Sequence, residues 1–149
     1  MSLIKLSPIA ETCGVEERQL THESYSVAAA PTKDHANSSG KVSGGLLATL
    51  LDDTMARYLA HVLGVQSMMT LSLTVHYLSA VHVGNILAIS VRISRKGDKI
   101  SYAEGTIECG GNVVAQAIGT FGHAGPRFRN LGEHAGEKSE QASAVGLNA

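Results

Sequence analysis

The stretch SGGLLATLLDDTMARYL, from Ser43 to Leu59, constrains the fold of this chain more than any other. Leu47, Leu50, Leu51, Thr54, Met55, Tyr58, Leu59 and Val62 recur at the spacing of one helical face. Leu46, Ala48, Ala56 and Ala60 spread the apolar surface over most of the circumference. A helix that is apolar nearly all round has to be wrapped by other structure, since laying it on a surface would leave too much of it in water. Gly64 supplies a stop.

After that stop the period changes from helical to two. Met69, Leu71, Leu73, Val75 and Tyr77 alternate with Thr70, Ser72, Thr74 and His76, which predicts a strand. A second strand follows, with Leu87, Ile89, Val91 and Ile93 in alternation. RKGDK is a charged turn, Ile100 to Cys109 a third strand, Gly110 to Asn112 a tight turn and Val113 to Phe121 a fourth strand. Short spacers predict hairpins, so these strands are expected to pair antiparallel in chain order, as a meander. Before the helix, Tyr25 to Ala30 reads as a strand ended by Pro31, and Glu16 to Thr21 as the polar close of a short N-terminal helix. The fold class expected is α+β, one curved antiparallel sheet wrapped around one long central helix. Residues 1–22 are expected to form an N-terminal segment, 23–123 the domain, and 124–149 a small, polar, aperiodic tail outside the core.

Composition excludes several functions. The net charge is −1, with 17% charged and 44% hydrophobic residues, so no basic excess marks a nucleic-acid partner. Trp is absent and aromatics are 4%, which leaves little to stack bases on. Cys13 and Cys109 stand alone, without a CxxC pattern, so neither a metal site nor a disulfide scaffold is expected and a reduced, cytoplasmic setting is the simplest reading. The N-terminal residues lack the continuous apolar core of a signal peptide, and no run is long enough to span a membrane.

Two features of the helix need a reason. Asp53 has Arg57 four residues later, the favourable order for an ion pair, and reads as a solvated surface acid. Asp52 is different: its helical neighbours are Ala48, Thr49, Met55 and Ala56, and no cation shares its stripe. Covering that stripe would desolvate the carboxylate and make it more basic, which suits general-base work on a water or direct nucleophilic attack. An acid bonded to nearby backbone, or one reaching water at a subunit boundary, would fit the same pattern. Gly44 and Gly45 open the helix. Its first N–H groups have no intrahelical partner, and with no side chain in the way a carbonyl oxygen can approach them, as in an oxyanion hole. A helix start capped by Ser43 would use the same glycines.

Taken together, the span from Asn37 to Asp52, NSSGKVSGGLLATLLD, resembles the signature of hotdog-fold acyl-CoA thioesterases, and within them the phenylacetate-degradation-type branch. That signature runs Asn, a short Gly-containing loop, His-Gly-Gly, then an apolar helix with Asp eight residues after the first Gly. Asn37, Gly44, Gly45 and Asp52 fall on those positions. The meander TLSLTVHYLSAVHVGNILAISVRISRKGDKISYAEGTI follows with the expected cadence at His76, Tyr77, Leu78 and Gly84. The likeness covers Tyr25 to Gly122 and implies the hotdog fold.

The resemblance also implies roles. Asp52 would be nucleophile or general base, and the Gly44 and Gly45 amides would polarise the thioester carbonyl. Asn37 would orient the carboxylate or the water, and Thr70 falls where the family places a hydroxyl that holds the lytic water. Sites in the family form at a dimer interface, so a homodimer at least, and a homotetramer, is implied. The acyl pocket is expected to include Leu51, Met55 and Leu59 with residues of the partner subunit. No cofactor is implied, coenzyme A being part of the substrate. Its phosphates would meet cations, with Arg95, Lys96 and Lys99 of the RKGDK turn, and Arg127 and Arg129 of the tail, as candidates. One departure stands out: the family's His before Gly-Gly is Ser43 here, which can donate a hydrogen bond but carries no charge. His35 lies close in sequence and is a candidate to stand in for it. The departure leaves open a non-catalytic acyl-CoA-binding protein on the same fold. An acyl dehydratase would need a His paired with an acid in that loop.

Overall fold

The computed structural model describes residues 5–123. A short helix α1 (Pro8–Thr12) leads into strands β1 (Glu16–Leu20) and β2 (Tyr25–Ala29). A single 3-10 turn over Lys33–His35 precedes the long helix α2 (Gly44–Leu63). Strands β3 (Met68–Tyr77), β4 (Leu87–Arg95), β5 (Ile100–Cys109) and β6 (Asn112–His123) complete the chain. The six strands form one sheet in the order β1-β2-β4-β5-β6-β3, antiparallel throughout. This is the α+β hotdog architecture, with one helix held in the palm of one sheet.

The periodicity of α2 becomes packing directly. Leu46, Leu47, Leu50, Leu51, Thr54, Met55, Tyr58 and Leu59 are buried within the single chain. They rest on the sheet's inner face, where Val27, Ile89, Ala103, Ile107, Ala117 and Phe121 are also buried. The one polar member, Thr54, donates its hydroxyl to the Leu50 carbonyl at 2.6 Å, so its burial leaves no bond unmade. The helix approaches the sheet closely at Gly105, where a Cβ would stand 2.8 Å from Leu51 Cδ2 and 3.6 Å from Met55 Sδ. Gly64 ends the helix in the left-handed region, φ 66°, with its N–H on the Ala60 and His61 carbonyls.

Two expectations are corrected. The strands after the helix pair in chain order only from β4 through β5 to β6: β3 pairs with β6 rather than with β4, which lies between β2 and β5. The connection from Leu78 to Ile86 is too long for a tight hairpin. It carries the chain across the sheet, so β3 becomes an edge strand. The second correction is Glu16–Leu20, which is a strand and not the end of a helix. It lies on the other edge with four of its five residues exposed, so it carries no alternation of burial to read.

No helix among the described residues is long and apolar enough to cross a membrane. The expected tail, with Arg127 and Arg129, lies outside the described residues.

Candidate functional site

The start of α2 is held from behind. The Ser43 N–H donates to the His35 carbonyl at 2.9 Å, and the Ser43 carbonyl accepts the first helical bond from Leu47 N–H at 3.2 Å. The Ser43 hydroxyl makes no capping bond, contrary to one of the two readings above. The amides of Gly44, Gly45 and Leu46 therefore have no acceptor among the described residues. At Gly44 the missing side chain makes room for Tyr77, whose ring would lie 3.4 Å from a Cβ and whose hydroxyl donates to the Gly44 carbonyl at 2.7 Å. Gly45 is exposed.

His35 explains why that end is firm. Its Nδ1 accepts the Thr32 N–H at 2.9 Å, which makes Nε2 the protonated nitrogen of the neutral ring. Nε2 lies 3.2 Å from Thr12 Oγ1 and 3.5 Å from the buried Cys13 sulfur. One residue thus joins α1 and the 3-10 turn through its ring and, through its backbone carbonyl, the entry to α2. Among the described residues its ring bonds no carboxylate. Burial pushes the Cys13 thiol up from its ordinary range, the Thr12 hydroxyl opposing this weakly.

Asn37 turns inward on its own loop. Its Oδ1 accepts the N–H groups of Ser39 at 2.9 Å and Lys41 at 3.1 Å, and its N–H donates to the Lys41 carbonyl at 2.7 Å. The carbonyl oxygen of the side chain is spent, and the amide NH2 is left for any other partner. Asn37, Lys41, Gly44, Leu47, Tyr77 and Val81 are among the walls of an open cavity of about 500 Å³.

Eight residues along α2, Asp52 lies half-buried on a stripe of small side chains with Ala48 and Ala56. Thr70 Oγ1 donates to Asp52 Oδ1 at 2.6 Å. Strict alternation would turn Thr70 away from the helix, since Leu73 and Val75 pack toward the core from the same strand. A β-bulge between Thr70 and Ser72 resets the phase. Thr70 pairs with Phe121, whose side chain faces the helix, while Leu71 is left 45% exposed over Gly122. The bulge is what delivers the hydroxyl to the carboxylate.

Asp53 is ion-paired with Arg57 as expected, at 3.1 Å, but it is not solvated: the two side chains are 18% and 10% exposed. Arg57 also donates to the Tyr25 hydroxyl at 3.2 Å, and Tyr25 stacks on Tyr58 with centroids 5.6 Å apart. Burial pushes the Tyr25 hydroxyl up to about 12, against the pull of the Arg57 charge. This network ties α2 to β2 and stands apart from Asp52.

Arg95, Lys96 and Lys99 are all exposed on the β4–β5 turn. Ser101 pairs with Phe121, and Phe121 with Thr70, so the turn lies at the same end of the sheet as Thr70. Leu51, Met55 and Leu59, the expected acyl-pocket walls, are fully buried in the core of the single chain. Tyr77 is the site residue that reading the sequence missed: the alternation of β3 places it inward, but nothing local marks its bond to the helix start.

The structure thus gathers the expected residues into two groups. Asn37, Ser43, Gly44 and Gly45 meet at the head of α2, and Asp52 meets Thr70 farther along. Eight residues of helix separate the groups by about 12 Å. Within one chain they cannot touch the same reacting carbon.

Residues 39–116 match the family model described as the thioesterase superfamily. A candidate esterase of Pseudomonas aeruginosa, PA0474, is 29% identical over 121 residues, covering 80% of this chain and 90% of that protein. Among solved structures, a candidate thioesterase related to phenylacetic acid degradation, from Ralstonia eutropha JMP134, is 28% identical with a TM-score of 0.74, covering 80% of this chain and 92% of that one. A hypothetical thioesterase from Streptococcus pneumoniae TIGR4, crystallised with coenzyme A, shares the fold at a TM-score of 0.68 and 23% identity, over 72% of this chain and 86% of that one.

Proposed function

Since the chain belongs to the thioesterase superfamily, we propose that it hydrolyses the thioester of an acyl- or aryl-CoA at a site shared between two copies of itself. The observation that carries the reading is the pairing of half-buried Asp52 with Thr70, about 12 Å along the helix from its open amides. A second copy is the simplest source of the missing half. The stripe of Ala48, Asp52 and Ala56 is small enough for another helix to come close.

In this reading the thioester carbonyl rests on the Gly44 and Gly45 amides of one subunit. Charge developing on that oxygen meets preorganised donors and the positive end of α2. Asp52 of the other subunit acts on the carbonyl carbon. As a general base it takes a proton from water while the water oxygen attacks. The tetrahedral intermediate then collapses, the C–S bond breaks, and coenzyme A leaves as thiolate. As a nucleophile its oxygen attacks the carbonyl carbon, the C–S bond breaks with coenzyme A leaving as thiolate, and water then cleaves the resulting acyl anhydride to the free acid and the Asp52 carboxylate. Thr70 holds Oδ1 in either case and leaves Oδ2 for the reacting atom. Asn37, its oxygen engaged by its own loop, offers its NH2 to the carboxylate or the water. Ser43 offers an uncommitted hydroxyl to the carbonyl. Arg95, Lys96 and Lys99 face solvent at the Thr70 end of the sheet, where CoA phosphates would be met.

The experiment is a free-thiol assay across short, long and aromatic acyl-CoAs with the wild type and Asp52→Asn. Hydrolysis by the wild type that falls at least about a hundredfold in the variant, with the oligomer intact, supports the reading. Equal rates in both overturn the role of Asp52. A second reading, a non-catalytic CoA-ester binder, is kept by Ser43 standing where the family has His. Saturable binding of CoA esters by the wild type without any thiol release selects it.

A further inference from the structure

The cavity at the head of α2 holds a charge that the mechanism above does not use. Lys41 is the one cation among its lining residues, and no acidic residue lines it. Among the described residues Lys41 has no carboxylate partner. It is not a loose surface side chain. Its N–H is held by Asn37 Oδ1 at 3.1 Å, its carbonyl by Asn37 N–H at 2.7 Å, and its backbone bridges to His82.

The tip is placed as well. Lys41 Nζ lies 3.0 Å from Nδ1 and 3.2 Å from Nε2 of His82. No point in the plane of an imidazole is that close to both nitrogens without running into the carbon between them. The ammonium therefore sits over the ring face. The in-plane positions of both His82 nitrogens stay unspent, as do the Lys41 N–H groups that point away from the ring.

The remaining walls are mostly apolar: Val42, Leu47, Leu78 and Val81. Gly44, whose amide belongs to the proposed oxyanion hole, is another. A space of 500 Å³ is roughly 10 Å across, so Lys41 and Gly44 border room for one small occupant. The phosphates of coenzyme A lie at the far end of the pantetheine arm from the thioester. A lysine sharing a cavity with Gly44 lies on the acyl side instead.

We propose that Lys41, seated on His82, binds the terminal carboxylate of a short dicarboxylic acyl group whose thioester carbonyl rests on the Gly44 and Gly45 amides. This deepens the hydrolase reading and rests on it. The apolar walls take the methylenes and the ammonium takes the far end, so the site selects for a charged acyl tail of limited length.

The test uses two CoA esters of equal carbon number, glutaryl-CoA and pentanoyl-CoA, with the full chain and Lys41→Met. The substitution keeps the length of the stem and all the backbone bonds of the loop. The expected result is a wild-type preference for glutaryl-CoA, a loss of about tenfold or more in its kcat/KM in Lys41→Met, and pentanoyl-CoA turnover unchanged within about twofold. Lys41→Arg retains part of the preference. Equal losses for both esters, together with weaker inhibition by free coenzyme A, assign Lys41 to the phosphates and overturn the proposal. No change for either ester also overturns it. Absence of turnover in the wild type overturns the hydrolase reading. The proposal is then decided by calorimetric binding of the two esters to wild type and Lys41→Met: a glutaryl preference lost in the variant supports it, and equal affinities contradict it.

Discussion

Thr70 donates its hydroxyl to the carboxylate of Asp52 at 2.6 Å, although strict alternation along β3 would point it the other way. The contact exists because a bulge at Leu71 inserts one residue into β3 and reverses the facing of everything before it. The bulge leaves a large apolar side chain in water, and the helix acid gains a fixed partner. Bulges beside reactive groups are a recurrent way to re-aim a side chain.

That contact sets the first prediction. Removing the hydroxyl in Thr70→Val leaves Asp52 free to rotate away from the reacting carbon, so kcat should fall about ten- to a hundredfold with KM little changed. Thr70→Ser should keep most of the rate. Steady-state thiol release with both variants reads this out. A Thr70→Val enzyme with wild-type kcat would show that the bond is incidental.

His35 sets the second. It bridges α1, the 3-10 turn and the entry to α2, and its ring lies against the buried Cys13 thiol. In the wild type a thiol reagent should modify Cys109, which is partly exposed, well before Cys13. In His35→Ala the slow thiol should react at least about tenfold faster, because the contacts closing over it are gone. Unchanged labelling would mean the bridge does not hold that corner shut.

Much of this frame was legible in the residues alone. The alternation of α2 gave its buried face, and Gly64 its end. The pairing order was not legible, because which strand β3 joins depends on where a nine-residue connection lands, and no residue in it specifies that. Strand β1 was missed since, exposed on both faces, it has no hydrophobic period. The bulge was missed for the opposite reason. The apolar-polar alternation of β3 is unbroken in sequence, and only pairing with β6 shows that its phase changes. The gathering of Asn37 with Gly44, and of Asp52 with Thr70, was implied by the family resemblance and not by spacing alone. The distance between the two groups follows from helix rise, and the spent oxygen of Asn37 needed coordinates.

The close approach at Gly105 gives a stability prediction. A methyl there would press on Leu51 and Met55, both fully buried. Gly105→Ala should therefore destabilise by about 1–3 kcal/mol, measured by urea unfolding. Alanine in the exposed, left-handed Gly111, φ 81°, gives a strain control with no packing clash.

Tyr25 predicts how stability depends on alkali. Its hydroxyl titrates near 10 unfolded and about 12 folded. Between those values the unfolded chain has lost a proton that the folded chain keeps, so stability falls as pH rises. The contribution is fully present below pH 10 and is lost on the way to about 12, an amount on the order of 2 kcal/mol. Tyr25→Phe should flatten this part of the unfolding free energy against pH. An identical slope in the variant would place the effect elsewhere.

The central claim is that the amides of one subunit and the carboxylate of another serve one substrate, and subunit complementation tests it most directly. Asp52→Asn removes one half, and Gly45→Val blocks carbonyl approach at the other. Each variant alone should be at least about a hundredfold less active than wild type. Co-folded in equal amounts, half of the dimers are mixed and each mixed dimer carries one intact site, so activity should return to about a quarter of wild type. If mixed dimers form, as shown by differently tagged chains, and the mixture stays as inactive as its components, the shared site is contradicted.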